Sequence, residues 1–267
     1  MVTMEMGEGP PVLLVHGLNG FKEGWGRLPA ALARAGHRVV AVDLPGFGET
    51  PPLSGERASP EALSRALAPL VADLAPVGVV GHSLGTQLAM LLAIQQPDRV
   101  LRTALISPWV RPRLGRIPPR GLTDLLQLPL VGRALARAAI RRIRRDPERR
   151  RAAFVAQVPD PAGVGDRPEL EALLQGAADR LLRVHLRTMV DWAESGVADD
   201  LQPLVGRVAA PTLVVTGAGD RLTPMADAAW LAGALRAGRL VRVPDTGHFP
   251  HLERPEVVVP VIVEHMA

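Results

Sequence analysis

Six short apolar runs punctuate the chain: "PVLLV" (11–15), "RVVAV" (38–42), "VGVV" (77–80), "RTALI" (102–106), "TLVVT" (212–216) and "LVRV" (240–243). Each is apolar nearly throughout, the pattern of a parallel strand covered on both faces. Helical periodicity fills the intervals near 23–35, 59–74, 84–95, 225–237 and 255–265, and Pro255 suits the first turn of the last. This repetition predicts an α/β fold, with a mostly parallel central sheet, right-handed crossovers and flanking helices. One interval breaks the rhythm. From about Trp109 to Val208 there are only helical or proline-rich stretches, such as "LVGRALARAAIRRIRR" and "ADRLLRVHLRTMVDWAES". The expected organisation is a core of residues 1–108 and 209–267, with residues 109–208 inserted between two strands as a helical cap.

In such sheets the connecting loops converge at the carboxyl ends of the strands, and sites form there. The loops after the predicted strands read "HGLNG", "DLPGFGE", "GHSLG", "GAGDRLTP" and "PDTGHFPH". Ser83, Asp220 and His248 are therefore expected on one edge of the sheet despite their separation in sequence. Gly81 and Gly85 bracket Ser83 where a strand must turn sharply into a helix, and this lifts the hydroxyl to the positive end of the helix dipole. A hydroxyl is a poor nucleophile at neutral pH. It needs a base for its proton and donors for the oxyanion it creates. His248 suits the base and Asp220 the group that fixes its tautomer. The backbone N–H groups of Leu84 and Leu18 suit the oxyanion.

At these residues the chain resembles the α/β-hydrolase fold family, in its lidded esterase-like branch. The resemblance rests on five loops in order, "HGLNG", "DLPGFGE", "GHSLG", "GAGDRLTP" and "TGHFPHLERPE", and spans essentially the whole core. It implies Ser83 as nucleophile, Asp220 as acid, His248 as base, and Leu18 and Leu84 as oxyanion donors. Two departures stand out. Relatives usually carry two further strands before the "HG" strand, whereas only residues 2–6 are available here. Thr86 also stands where a second glycine is frequent.

Asp245, three residues before His248, is the alternative acid, although its spacing suits loop capping. His82 is expected to point away from the nucleophile, His16 to shape the oxyanion loop, and Asp43 to tie its own loop. His251 reads as a supporting residue. Met189 and Trp192 of the cap read as core.

The chain has no cysteine, which removes thiolate nucleophiles and cysteine metal sites. None of its seven histidines shows metal-ligand spacing such as H-E-x-x-H, so neither a metal nor another cofactor is expected. No signal-peptide pattern opens the chain and no run has the ~18 apolar residues of a membrane helix. A cytoplasmic protein without membrane attachment is the expectation. Thirteen arginines lie between residues 109 and 151 against Asp124, Asp146 and Glu148. Arg133, Arg137, Arg141 and Arg145 recur every four residues, which predicts one stripe along a helix, with Leu135, Ala138, Ala139 and Ile143 forming much of the opposing apolar face. Such a stripe is either a solvated exterior or a docking surface for an acidic partner such as an acyl carrier protein. Nucleic acid is disfavoured, because few aromatics accompany the patch.

The expected function is a serine hydrolase that cleaves a carboxylic ester of a small or medium-sized molecule through an acyl-enzyme. C–C bond hydrolysis of ring-cleaved aromatics and cofactor-free perhydrolysis use a similar triad and remain alternatives, although Phe249 follows His248 where the C–C hydrolases commonly have Trp. A non-catalytic binding protein would have no reason to keep all three groups.

Overall fold

The computed structural model describes residues 1–112 and 131–267. Arg113, Arg116, Arg120 and Asp124 of the basic stretch lie outside the described residues. Seven strands form one sheet: β1 (Val2–Met6), β2 (Pro11–Val15), β3 (Arg38–Asp43), β4 (Val77–His82), β5 (Val100–Ile106), β6 (Thr212–Gly217) and β7 (Gly238–Val243). Their order is β1-β3-β2-β4-β5-β6-β7, parallel except for β1, which runs antiparallel to β3.

The six predicted strands are all present, and β1 is added to them at the edge. Its residues are half-buried or exposed and it has no continuous apolar run, as an antiparallel edge strand permits. At the other edge β7 is exposed over much of its length, so its apolar run is not enclosed as the central ones are.

Helices α1 (Leu28–Arg34), α2 (Pro60–Leu74) and α3 (Gly85–Gln95) connect the first strands. Between β5 and β6 come α4 (Gly132–Arg145), α5 (Pro147–Val155), α6 (Pro168–Arg180) and α7 (Leu186–Ala198). The carboxyl-terminal helices are α8 (Met225–Ala234), α9 (Pro250–Glu253) and α10 (Pro255–Met266). α1 starts later than its periodicity suggests, because Gly26 takes a left-handed φ of 57° just before it. The stretch predicted as one helix around 178–195 is broken by extended Val184, where the His185 N–H is drawn to the Gly46 carbonyl at 2.7 Å.

Strand side chains alternate between two apolar layers. Leu13, Val15, Val40, Val42 and Val79 pack with Leu63, Leu67, Leu88 and Leu92 of α2 and α3. Val12, Leu14, Val39, Ala41 and Val80 pack with Leu28 and Leu32 of α1 and with Val258 and Ile262 of α10. Burying each such side chain contributes roughly 1.5–3 kcal/mol. Ala136 and Ile140 of α4 and Met189, Val190 and Trp192 of α7 join the first of these layers, so the inserted helices share the core of the sheet. A separate cluster of Phe154, Val158, Leu170 and Leu174, with Phe249 and Leu252 against it, forms a roof above the strand ends.

The arginine stripe is only partly as expected. Steps of four residues overshoot the 3.6-residue turn, so the stripe precesses about 40° per step. Arg133 consequently reaches α7 and pairs with Asp191 and Glu194, while Arg141 and Arg145 face solvent. The buried face is Ala136 and Ile140 flanked by Ala139 and Ile143, whereas Leu135 and Ala138 are exposed.

Candidate active site

The chain passes from β2 to β3 on one side and to β4 on the other, which makes the β2/β4 boundary the point where strand order reverses. Ligands of open α/β sheets settle outside such a point. The loops after β2 and β4 meet there so closely that a Cβ on Gly17 would lie 2.8 Å from both the His82 carbonyl and Ser83 Cβ.

Ser83 sits in the turn from β4 into α3 with φ of 53°, a left-handed backbone that non-glycine residues adopt only under local constraint. The constraint is visible. The Ser83 N–H donates to the Ile106 carbonyl at 2.9 Å, and the Thr86 hydroxyl donates to the Ser83 carbonyl at 2.6 Å. A Cβ on Gly81 would lie 2.6 Å from the Gly85 carbonyl, and one on Gly85 would lie 2.5 Å from the His16 carbonyl. These two glycines make the turn possible.

The structure brings Ser83, His248 and Asp220 together from three loops. Ser83 Oγ lies 2.8 Å from His248 Nε2, and His248 Nδ1 lies 2.9 Å from Asp220 Oδ2. Asp220 is held in turn by the Leu222 and Thr223 N–H groups at 2.8 and 2.9 Å and by the Thr223 hydroxyl at 2.6 Å. Burial pushes the Asp220 carboxyl up, but the neighbouring His248 and the Thr223 hydrogen bonds outweigh it and hold the group at about 2. An ionised Asp220 can only accept, so Nδ1 carries the proton and Nε2 is left to accept from the Ser83 hydroxyl. Asp245 lies elsewhere: its side chain is 86% exposed, 4.0 Å from Arg254.

Leu18, Ser83, Leu84 and His248 line one cavity of about 70 Å³, closed by Trp109, Phe154, Leu181, Leu222 and Phe249. Among the described residues the N–H groups of Leu18 and Leu84 have no acceptor within the protein, although their neighbours are engaged: Gly20 N–H bonds the Gly17 carbonyl and Thr86 N–H the Ser83 carbonyl. The loop carrying Leu18 is pinned from outside. His16 Nδ1–H donates to the Gly17 carbonyl at 2.8 Å while Nε2 accepts the Leu44 N–H at 3.1 Å. Burial lowers this imidazole to about 4. Asp43 accepts from Lys22 N–H, Lys22 Nζ and Glu49 N–H, and so ties both its own loop and the Leu18 loop.

Behind the base, His82 Nε2–H donates to the His248 carbonyl at 2.9 Å, and its ring lies 5.0 Å from that of His248 and 4.9 Å from that of His251. Burial, reinforced by the neighbouring imidazoles, holds His82 well below the usual histidine range and His251 at about 3.

Three supports escaped the sequence reading. The Glu253 carboxylate accepts from the Gly247 and Phe249 N–H groups and cradles the His248 turn. Its signal was the acid five residues after His248. Thr86 Oγ1 accepts the Trp109 N–H at 3.0 Å while donating to Ser83, so the departure from glycine links the nucleophile turn to the start of the inserted helices. The third is the Gln157 carbonyl, which accepts the His248 N–H at 3.1 Å. A backbone carbonyl has no sequence signal.

A profile of the Alpha/beta hydrolase family matches residues 12–261. Over 252 residues the chain is 33% identical to a pimeloyl-(acyl-carrier protein) methyl ester esterase of Aromatoleum aromaticum, covering 92% of this chain and 94% of that protein. It is 26% identical over 265 residues to a 2-hydroxy-6-oxononadienedioate/2-hydroxy-6-oxononatrienedioate hydrolase of Paraburkholderia xenovorans, covering 96% and 86% of the two chains. Among solved structures, a thermophilic esterase of Thermogutta terrifontis superposes with a TM-score of 0.78 at 26% identity, over 98% of this chain and 91% of that one.

Proposed function

The chain belongs to the alpha/beta hydrolase family and is an esterase-type hydrolase, and from that premise we propose that it hydrolyses carboxylic esters through an acyl-enzyme on Ser83. In this reading His248 Nε2 takes the Ser83 proton as Oγ bonds to the ester carbonyl carbon. The carbonyl electron pair moves onto oxygen, where the Leu84 and Leu18 N–H groups face it. The imidazolium, oriented by Asp220, then gives its proton to the departing alkoxide. Water repeats the sequence on the acyl-enzyme and releases the acid. The observation that carries this reading is the 2.8 Å contact of Ser83 Oγ with His248 Nε2 inside the cavity that Leu18 and Leu84 also line. A fluorophosphonate probe tests it: the adduct maps to Ser83 by mass spectrometry and Ser83→Ala remains unlabelled. An adduct on another serine, or undiminished ester turnover in Ser83→Ala, removes the reading.

The same proposal treats residues 109–208 as a cap over the sheet edge, and takes its basic face as the docking surface of an acidic acyl carrier protein that presents the ester. Two observations support it. A groove of about 380 Å³ has Ala139, Ile143, Ala152 and Ala156 along it and Arg142 and Arg149 beside them. Ala153 belongs to both this groove and the cavity holding Ser83, so the basic face is one side chain from the site. A second groove of about 400 Å³ places Arg141, Arg144, Arg145 and Arg150 around Leu182. The Aromatoleum relative, whose name specifies a carrier-bound ester, agrees with this partner. Among the described residues no helix is long and apolar enough to cross a membrane.

A further inference from the structure

Beside the cavity that holds Ser83 lies a second chamber of about 50 Å³. Leu18, Asn19, His82, Phe154 and Phe249 line both, so the two adjoin along that seam. The chamber lies on the side of the base: His82 and Phe249 place their rings 5.0 and 5.4 Å from that of His248. Ala153, which leads from the Ser83 cavity to the basic groove, does not line it.

Its walls are largely carbon. Phe21, Leu173, Leu174, Ala177 and Leu252 give it an apolar body. The polar residues around it have little left to offer a guest. His16 spends both ring nitrogens on Gly17 and Leu44, and His82 Nε2 is bound to the His248 carbonyl. Asn19 Oδ1, Trp25 Nε1 and His251 Nδ1 are themselves buried, so a guest meets the carbon of these side chains and not those atoms. Among the described residues no arginine, lysine, aspartate or glutamate lines the chamber. Burial also keeps its imidazoles uncharged at neutral pH, with His16 at about 4, His251 at about 3 and His82 well below the usual histidine range. An ion entering here would lose its hydration and find no opposite charge.

We propose that this chamber receives the alcohol side of the ester, as a short and uncharged alkyl group. The inference rests on the ester-hydrolase reading of the Ser83 cavity and deepens it. The proton that His248 takes from Ser83 passes to the departing alkoxide, so the alcohol oxygen must lie against the base when the C–O bond breaks. Its alkyl group then continues beside the base, where the chamber lies. The acyl chain is left the opposite way, past Ala153 toward the basic groove. Size sets the limit. One water-sized group needs ~10–15 Å³ of such space, so about 50 Å³ holds about three to five carbons. Leu173 and Ala177, one turn apart on α6, line the chamber and not the Ser83 cavity, so they meet the end of the alkyl group and not its start.

The test compares kcat/KM for the methyl, butyl, octyl and 3-carboxypropyl esters of hexanoate. Butyl is expected to exceed methyl by at least about tenfold, because each buried methylene contributes. It is expected to exceed octyl and carboxypropyl by at least about threefold. Ala177→Leu, which fills the chamber, is expected to bring the butyl-to-methyl ratio to within about twofold of unity. Leu173→Ala, which enlarges it, is expected to raise octyl relative to butyl by at least about threefold. Equal turnover of methyl and butyl esters by the unaltered protein, or preference for carboxypropyl, overturns the inference. If Ala177→Leu changes the dependence on acyl length among methyl esters instead, the chamber holds the acyl side and the inference falls. A second measurement does not depend on turnover: the ¹³C-methyl resonance of Ala177 in Ser83→Ala, titrated with 1-butanol and with butanoate. It is expected to shift with the first and not with the second. That shift without any ester turnover in the unaltered protein would sink the hydrolase reading and leave an alkyl-binding chamber standing. Ester turnover without the shift would sink the chamber alone.

Discussion

The Gln157 carbonyl accepts the backbone N–H of His248 at 3.1 Å, so a residue of the inserted helical segment holds the proposed base in place. The contact is tight. A Cβ on Gly247 would collide with that carbonyl and lie 2.7 Å from Pro159 Cδ. Gly247→Ala must therefore move either the inserted segment or the imidazole, and small displacements of a reacting group are expensive. The expected outcome is a folded protein, by circular dichroism, whose kcat for a neutral ester falls roughly tenfold or more. Unchanged kcat would show that the position of His248 does not depend on this contact.

Asp220 and Asp245 give the second prediction. Only Asp220 touches His248, and Asn at that position would present an amide to Nδ1 and favour the wrong tautomer. Asp220→Asn is expected to lower kcat/KM by roughly three to four orders of magnitude, whereas Asp245→Asn, exposed on its turn, changes it less than about twofold. Equal losses in steady-state assays would contradict the assignment.

What the sequence disclosed follows from what its chemistry needs. Gly81 and Gly85 are legible because only residues without side chains fit the turn at Ser83, and the three polar residues are legible because parallel strands bring their loops to one edge. β1 occupies residues 2–6, the stretch noted as available before the first predicted strand, but it has no apolar run to mark it because an edge strand needs none. The arginine stripe was misdrawn because a four-residue step drifts around a 3.6-residue helix, and it carried Arg133 inward to Asp191. The Gln157 contact was out of reach, since one backbone carbonyl resembles any other. The His82–His251 pair was half visible: the residues were noted, but their tilted ring contact at 4.9 Å depends on where α9 places His251.

Those buried imidazoles set an acid limit on stability. Burial lowers His16 to about 4 and His251 to about 3, and holds His82 well below its usual range. From about pH 6.5 down to about pH 4 the unfolded chain binds protons at these sites that the folded protein refuses. Stability therefore falls as pH drops, by about 1.4 kcal/mol per pH unit for each fully engaged histidine. Asp199, raised to about 6 by burial and by Glu61, and Glu253, raised by burial, act in the opposite direction, Asp199 from about pH 6 downward. His265 is lowered by burial as well, so four groups against two leave the slope positive, steepest just below the histidine range. Asp220, held at about 2, adds its own loss only below about pH 4. Urea unfolding at pH 7, 6, 5 and 4.5 is expected to show this fall, and His251→Gln to flatten it. A midpoint constant across that range would refute the prediction.

Arg141 and Arg145 point to solvent from α4, and Ala153 separates the adjoining groove from the Ser83 cavity. Exposed charges contribute little to stability, so Arg141→Glu with Arg145→Glu leaves the fold intact. Their effect belongs to encounter: a basic face accelerates the approach of an acidic carrier and does nothing for a neutral molecule without a field to follow. The ratio of kcat/KM for a carrier-bound ester to that for a free neutral ester is expected to fall at least about tenfold in the double variant. In the unaltered protein the carrier-bound rate alone should drop as salt rises from 50 to 500 mM, because screening shortens the reach of these charges to a few ångströms. If both substrates lose equally, the arginines act inside the pocket and the α4 face is not the docking surface. If neither responds, the stripe is solvated surface and the carrier approaches elsewhere.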